Sequence, residues 1–139
     1  MILANASINW LAVLACVVTG QLLLTVWFAV IFAVPWARAY GGPTMTKAQH
    51  TKEVPGYTYA IGAACVAALA VALSLLRTAL DVSGIGPSLA LGLLVGLGVF
   101  VPMALPAYAF LRRWNAFALG AGSQLALVLA LSVVLDLFA

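Results

Sequence analysis

Residues 8–34 read INWLAVLACVVTGQLLLTVWFAVIFAV, with no Asp, Glu, Lys, Arg or His in the run. At 1.5 Å per residue a helix of this length is about 40 Å long, more than a hydrocarbon core of roughly 30 Å requires. Such a helix must tilt or protrude. The Pro35-Trp36 pair is expected to end it. Three more apolar stretches follow, at about 57–76, 88–111 and 116–137. Between them lie a polar segment at 35–56, a short connection with Gly84 and Gly86, and the tight turn Arg112-Arg113-Trp114-Asn115. Lipid offers no partner to backbone N–H and C=O groups, so spans of this length are helices. A closed barrel is excluded, because the segments are too long and do not alternate. The reading is a single membrane domain of 139 residues, an all-α, integral membrane four-helix bundle with four transmembrane helices.

Bulk composition agrees. The chain is 66% hydrophobic and 6% charged, against about 25% charged for soluble domains. Its mean hydropathy is +1.20. The net charge of +3 comes from too few, too dispersed cations to track a nucleic acid backbone, so the bilayer is the expected partner. The N-terminus carries no Lys or Arg ahead of its apolar run, and that run is too long for a signal-peptide core; it reads as a retained first span.

Basic residues orient the spans. The first and third connections hold Arg38, Lys47, Lys52, Arg112 and Arg113, while the opposite face has only Arg77. This predicts those two connections in the cytoplasm, both termini outside, and a multi-pass protein of the inner (plasma) membrane. Aromatic residues cluster accordingly, with Trp36, Tyr40, Tyr57, Tyr59, Tyr108 and Trp114 on the basic side and Trp10 and Phe138 on the other. Within the polar segment, Thr46 followed by Gln49 has capping-box spacing, which predicts a short surface helix.

Helices in lipid associate through close backbone approach and buried polar groups. Small residues recur every fourth position in each span: Ala12, Cys16 and Gly20; Gly56, Ala60, Ala64, Ala68 and Ala72; Ser88, Gly92 and Gly96; Ala118, Gly122, Ala126 and Ala130. The runs in spans two and four are the longest, and mark those as the central packing faces. Gln21 and Gln124 are expected to point inward, since an amide facing lipid is costly. Pro102 removes a backbone hydrogen bond opposite Gly98, so a kink is predicted between Gly98 and Pro106. Cys16 and Cys65 read as small packing residues.

The spans contain no constellation that carries chemistry. Arg77, Asp81, Arg112, Arg113 and Asp136 all fall at span ends, and the one histidine, His50, lies in the polar segment. No nucleophile–base pair, metal-ligand spacing or phosphate-binding loop occurs in the sequence. The expectation is a protein with no catalytic residue, no metal and no cofactor, and no enzyme.

The strings Ile8-Asn9-Trp10-Leu11-Ala12-Val13, Trp27-Phe28, Pro35-Trp36, Gly98-Val99-Phe100-Val101-Pro102, Pro106-Ala107-Tyr108-Ala109-Phe110 and Phe117-Ala118-Leu119-Gly120-Ala121-Gly122 run in order along the chain. In these the sequence resembles the DUF1761 family of small bacterial membrane proteins of unknown function. It departs from that pattern at Phe28-Ala29 and in the polar segment. The resemblance implies four spans and an integral membrane location, and implies no activity.

The expected role is an accessory subunit or interaction module, packed on other membrane proteins or on itself. A small oligomeric transporter or channel, not proton-coupled through its own carboxylates, is the alternative, with Gln21, Gln124 and the Pro102 region as lining. A lipid or quinone site against Gly92 and Gly96 is a third reading.

Overall fold

The structure is a computed structural model that describes residues 6–139. It is all-helical, with no strand among the described residues. Helix α1 spans Trp10–Val26. The Asn9 side chain caps it, accepting from the N–H groups of Leu11 and Ala12 at 3.1 and 3.2 Å. The same side chain donates to the Phe138 carbonyl at 3.2 Å, tying the start of the chain to its end.

The helix then widens over Trp27–Ile31 into a π-type turn, where the Phe32 N–H reaches back five residues to the Trp27 carbonyl at 2.9 Å. Phe32 (φ −111°, ψ 24°) breaks it. Helix α2, Ala33–Gly41, begins at once, so Pro35 does not end the first span as expected. It sits in the first turn of α2, where a helix has no partner for its N–H groups and a missing donor costs little. A short α3, Lys47–Glu53, carries the capping box of Thr46 and Gln49.

Helix α4 is Tyr57–Ala79 and α5 is Ile85–Val95. A second wide turn, Gly96–Phe100, leads into α6, Val101–Phe110. The interruption therefore lies just ahead of Pro102, where the Val101 N–H bonds the Gly96 carbonyl. Helix α7 is Trp114–Leu137. Four helical stretches, Trp10–Ile31, Tyr57–Ala79, Ile85–Phe110 and Trp114–Leu137, are long and apolar enough to cross a membrane. This is a small membrane protein.

Helix α7 is the hub: α1 and α5 pack along it, and α2, α4 and α6 also touch it. Helix α4 leans chiefly on α1. The core gathers Val13 and Cys16 from α1, Val66, Ala70 and Leu73 from α4, and Leu127, Val128 and Leu131 from α7. Glycine allows the closest approaches. A Cβ on Gly20 would stand 2.6 Å from Val66 Cγ1. One on Gly92 would stand 2.7 Å from Ser132 Oγ, and one on Gly96 2.6 Å from Leu125 Cδ1.

The small-residue faces of α1 and α5 are thus internal seams, but that of α4 is not. Gly56, Ala60, Ala64, Ala68 and Ala72 are all exposed, while Val66, Ala70, Leu73 and Arg77 face inward. Arg77 faces inward to pair with a carboxylate of the fourth span, and the residues four, seven and eleven positions earlier lie on the same face. On α7 the buried positions are Ala116, Ser123, Leu127, Val128, Leu131, Ser132 and Leu135, with Gly122, Ala126 and Ala130 half-buried beside them. Cys16 is buried and Cys65 exposed, so only the first is a packing residue within the chain.

Candidate functional site

Two polar places stand out, one at each end of the helices. The first joins α4, α5 and α7. Arg77 donates to Asp136 Oδ1 at 2.9 Å, with side chains 8% and 11% exposed. Its guanidinium also donates to the Ser88 hydroxyl. Ser88 in turn donates to the Gly84 carbonyl at 2.7 Å and stands 3.3 Å from Asp136. A cavity of about 270 Å³ opens beside this group, lined by Asn9, Ser74, Arg77, Thr78 and Asp81 among others.

The local sequence builds this cluster. Gly84 (φ +88°) makes the turn that starts α5 and exposes its carbonyl to Ser88 one helical turn later. Asp136 lies in the last turn of α7, where the helix dipole disfavours an anion, and Arg77 offsets that. Among the described residues, no buried side-chain polar atom lacks a partner. The cluster is a closed electrostatic clamp that binds three helices together.

The sequence reading set Arg77 and Asp136 apart at span ends and did not pair them. A signal was present: α4 and α7 both end on the same side, so the two opposite charges share one face.

The second place is at the basic end. A cleft of about 580 Å³ lies between α2 and the first turns of α7, lined by Phe32, Pro35, Arg38, Asn115, Ala118 and Leu119 among others. The wide turn after α1 builds its base. The Trp27 indole donates to the Leu119 carbonyl at 3.1 Å and packs against Phe32, the rings tilted by 46° with centroids 4.7 Å apart. Gly122 admits that indole, since a Cβ there would stand 3.0 Å from Trp27 Cζ2. Arg113 reaches from the α6–α7 turn to the Ala39 carbonyl at 3.2 Å, holding α2 to the end of α6. Arg112 adopts a positive φ of 54° in the same turn. Lys47 and Lys52 sit on α3, exposed and away from this lining. Tyr40, Tyr57, Tyr59 and Trp114 are exposed around the same end.

The remaining sequence candidates disperse. Gln21 donates to the Tyr59 carbonyl at 2.9 Å and bridges α1 to α4, with Gly62 leaving room for it. Gln124 does not point inward; it is exposed on the outer face of α7, because Ser123 and Leu127 occupy the buried side. Gly98, Pro102 and Pro106 are likewise exposed. Gly92 and Gly96 face α7, whose Ser132 and Leu125 occupy the space a lipid or quinone would need. No group of three His, Cys, Asp or Glu that could hold a metal occurs among the described residues.

A family model described as a protein of unknown function (DUF1761) matches residues 11–136. No curated relative and no solved structure matches the chain.

Proposed function

The chain belongs to the DUF1761 family, whose function is unknown, and we propose that it is a non-enzymatic accessory subunit or interaction module of a larger membrane assembly. In this reading it sits in the inner (plasma) membrane, with the Arg38, Lys47, Lys52, Arg112 and Arg113 end in the cytoplasm and both termini outside. The observation that carries it is the outward face of α4. Gly56, Ala60, Ala64, Ala68 and Ala72 form an exposed stripe with no role in seating α4 in its own chain. Other outward faces are bulky by contrast: the third span exposes Leu93, Leu94, Leu97, Val99 and Met103, and the first exposes Leu11, Leu14, Val18 and Leu22. Small residues on a helix face let a neighbouring backbone approach closely, which is how helices associate without a hydrophobic drive.

The test is the mass and composition of the particle released by a mild detergent. Foreign subunits or extra copies in fixed ratio are expected, and Ala64→Leu with Ala68→Leu should release them while the chain stays folded. A single-chain particle, unchanged by those substitutions, would remove this reading.

A second reading, a small oligomeric transporter or channel, draws on Gln124. Its amide lies on a lipid-facing surface, where a partner or a lined passage would satisfy it. Solute flux into liposomes that disappears with Gln124→Leu would favour it.

A further inference from the structure

We propose that the cleft between α2 and the start of α7 is a binding site for an anionic phospholipid of the leaflet at the basic end. It goes beyond the accessory role and stands independently of it.

The lining has two chemistries. Phe32, Pro35, Ala118 and Leu119 are apolar, while Arg38 and Asn115 bring a cation and an amide to the same space. A volume of about 580 Å³ lies within the roughly 300–1,000 Å³ usual for small-molecule sites. A purely apolar ligand would leave Arg38 unused, and a free anion would leave the apolar wall wet. A phosphodiester joined to acyl chains uses both.

Charge selects the anionic class. Arg38, Lys47, Lys52, Arg112 and Arg113 share this end with one carboxylate, Glu53. The opposite end has Arg77 against Asp81 and Asp136. Helix α7 begins in the cleft wall and has no side-chain cap at its N-terminus. Its first N–H groups therefore remain available on the Asn115 side, with the positive end of the helix dipole behind them. Arg113 is committed to the Ala39 carbonyl, which leaves Arg38 as the lining cation able to turn to a phosphate.

Position selects a lipid. The cleft lies where the first span gives way at Ile31–Phe32 and the fourth begins at Trp114, so in a bilayer crossed by those spans it would sit where headgroups meet hydrocarbon. The π-type turn at Trp27–Ile31, a geometry frequent at functional sites, sets Phe32 and Trp27 beneath it.

The experiment is native mass spectrometry of delipidated protein in neutral detergent, titrated with phosphatidylglycerol, phosphatidylcholine or inorganic phosphate. One phosphatidylglycerol should be retained per chain, with at least roughly tenfold preference over phosphatidylcholine and no retention of phosphate. Arg38→Gln should weaken retention about tenfold, the loss of one charge-assisted hydrogen bond. Ala118→Trp, which fills the cleft without changing charge, should abolish it. Arg38→Gln alters an exposed side chain, so it decides the matter if Ala118→Trp does not fold. Lys52→Gln, which removes a charge outside the lining, should weaken retention much less. Equal loss in Lys52→Gln and Arg38→Gln, equal binding of phosphatidylcholine, or retention of phosphate alone would overturn the proposal.

Discussion

Arg77 of α4 and Asp136 of α7, far apart in the chain, meet at 2.9 Å with both side chains almost withdrawn from solvent. This contact lies on the inward face of α4, recruits Ser88 of α5, and joins three of the four spans at one end. Its consequences are open to direct measurement.

Removing one partner of this pair should hurt more than removing both. Asp136→Leu strands a guanidinium that cannot shed its charge, whereas Arg77→Met leaves a carboxyl that can take a proton and keeps Ser88 beside it. The expected order of melting temperature in detergent is Asp136→Leu lowest, then Arg77→Met, with Arg77→Met/Asp136→Leu recovering much of the loss. Two single losses that simply add in the double variant would show that the two residues do not interact.

Glycine substitutions should separate rigid seams from yielding ones. Gly20→Ala forces a methyl to 2.6 Å from Val66 Cγ1, a β-branched side chain buried at 1% exposure. It should cost about 1–3 kcal/mol. Gly96→Ala meets Leu125 Cδ1, the far end of a flexible side chain, and should cost less. Gly62→Ala, whose nearest neighbour is 3.4 Å away, should be close to neutral. Chemical unfolding of the three variants side by side checks the order.

Trp27→Phe keeps an aromatic ring in the wide turn but removes the donor to the Leu119 carbonyl. The loss should be about 0.5–1.5 kcal/mol, the net worth of one hydrogen bond. It should be read by thermal melting, alongside Trp36→Phe as a control for loss of an indole.

Thr46→Ala deletes half of the α3 capping box. A cost of about 0.5–2 kcal/mol falls on a helix of only 7 residues, so its amide protection should drop locally. Hydrogen exchange confined to 47–53, with the spans unchanged, is the expected pattern.

Glu53→Cys tests orientation. Glu53 is exposed at the basic end, whereas Cys16 and Cys65 lie within spans. A membrane-impermeant maleimide should label the variant only after cells are opened. Labelling of intact cells would invert the topology.

The four spans were legible in the residues themselves, but the wide turn at Trp27–Ile31 and helix α2 were not. The 8–34 run has no ionisable group, and a chain in lipid has only its own segment to bond its backbone, so length and charge placement suffice to count the spans. The Thr46–Gln49 capping box was legible because capping acts within a few residues, whereas the kink expected between Gly98 and Pro106 meets the structure only at its first residues: the wide turn is Gly96–Phe100, and α6 runs unbroken through Pro106. The internal seams at Gly20, Gly92 and Gly96 followed from the need for close approach.

Helix rotation was not legible. In a soluble protein a helix shows its buried face by contrast with a polar one, but here both faces are apolar. Ala64 and Ala68 therefore looked like a seam yet face outward, and Gln124 looked inward yet lies outside. The hub position of α7, the pairing of Arg77 with Asp136, and the cleft between α2 and α7 depend on which helices become neighbours. By itself the sequence determined that this is a four-span helical membrane protein, because lipid leaves no other way to satisfy the backbone. Only the tertiary structure decided which side of each helix is inside, because a few close contacts and one buried ion pair outweigh a pattern that is almost uniformly apolar.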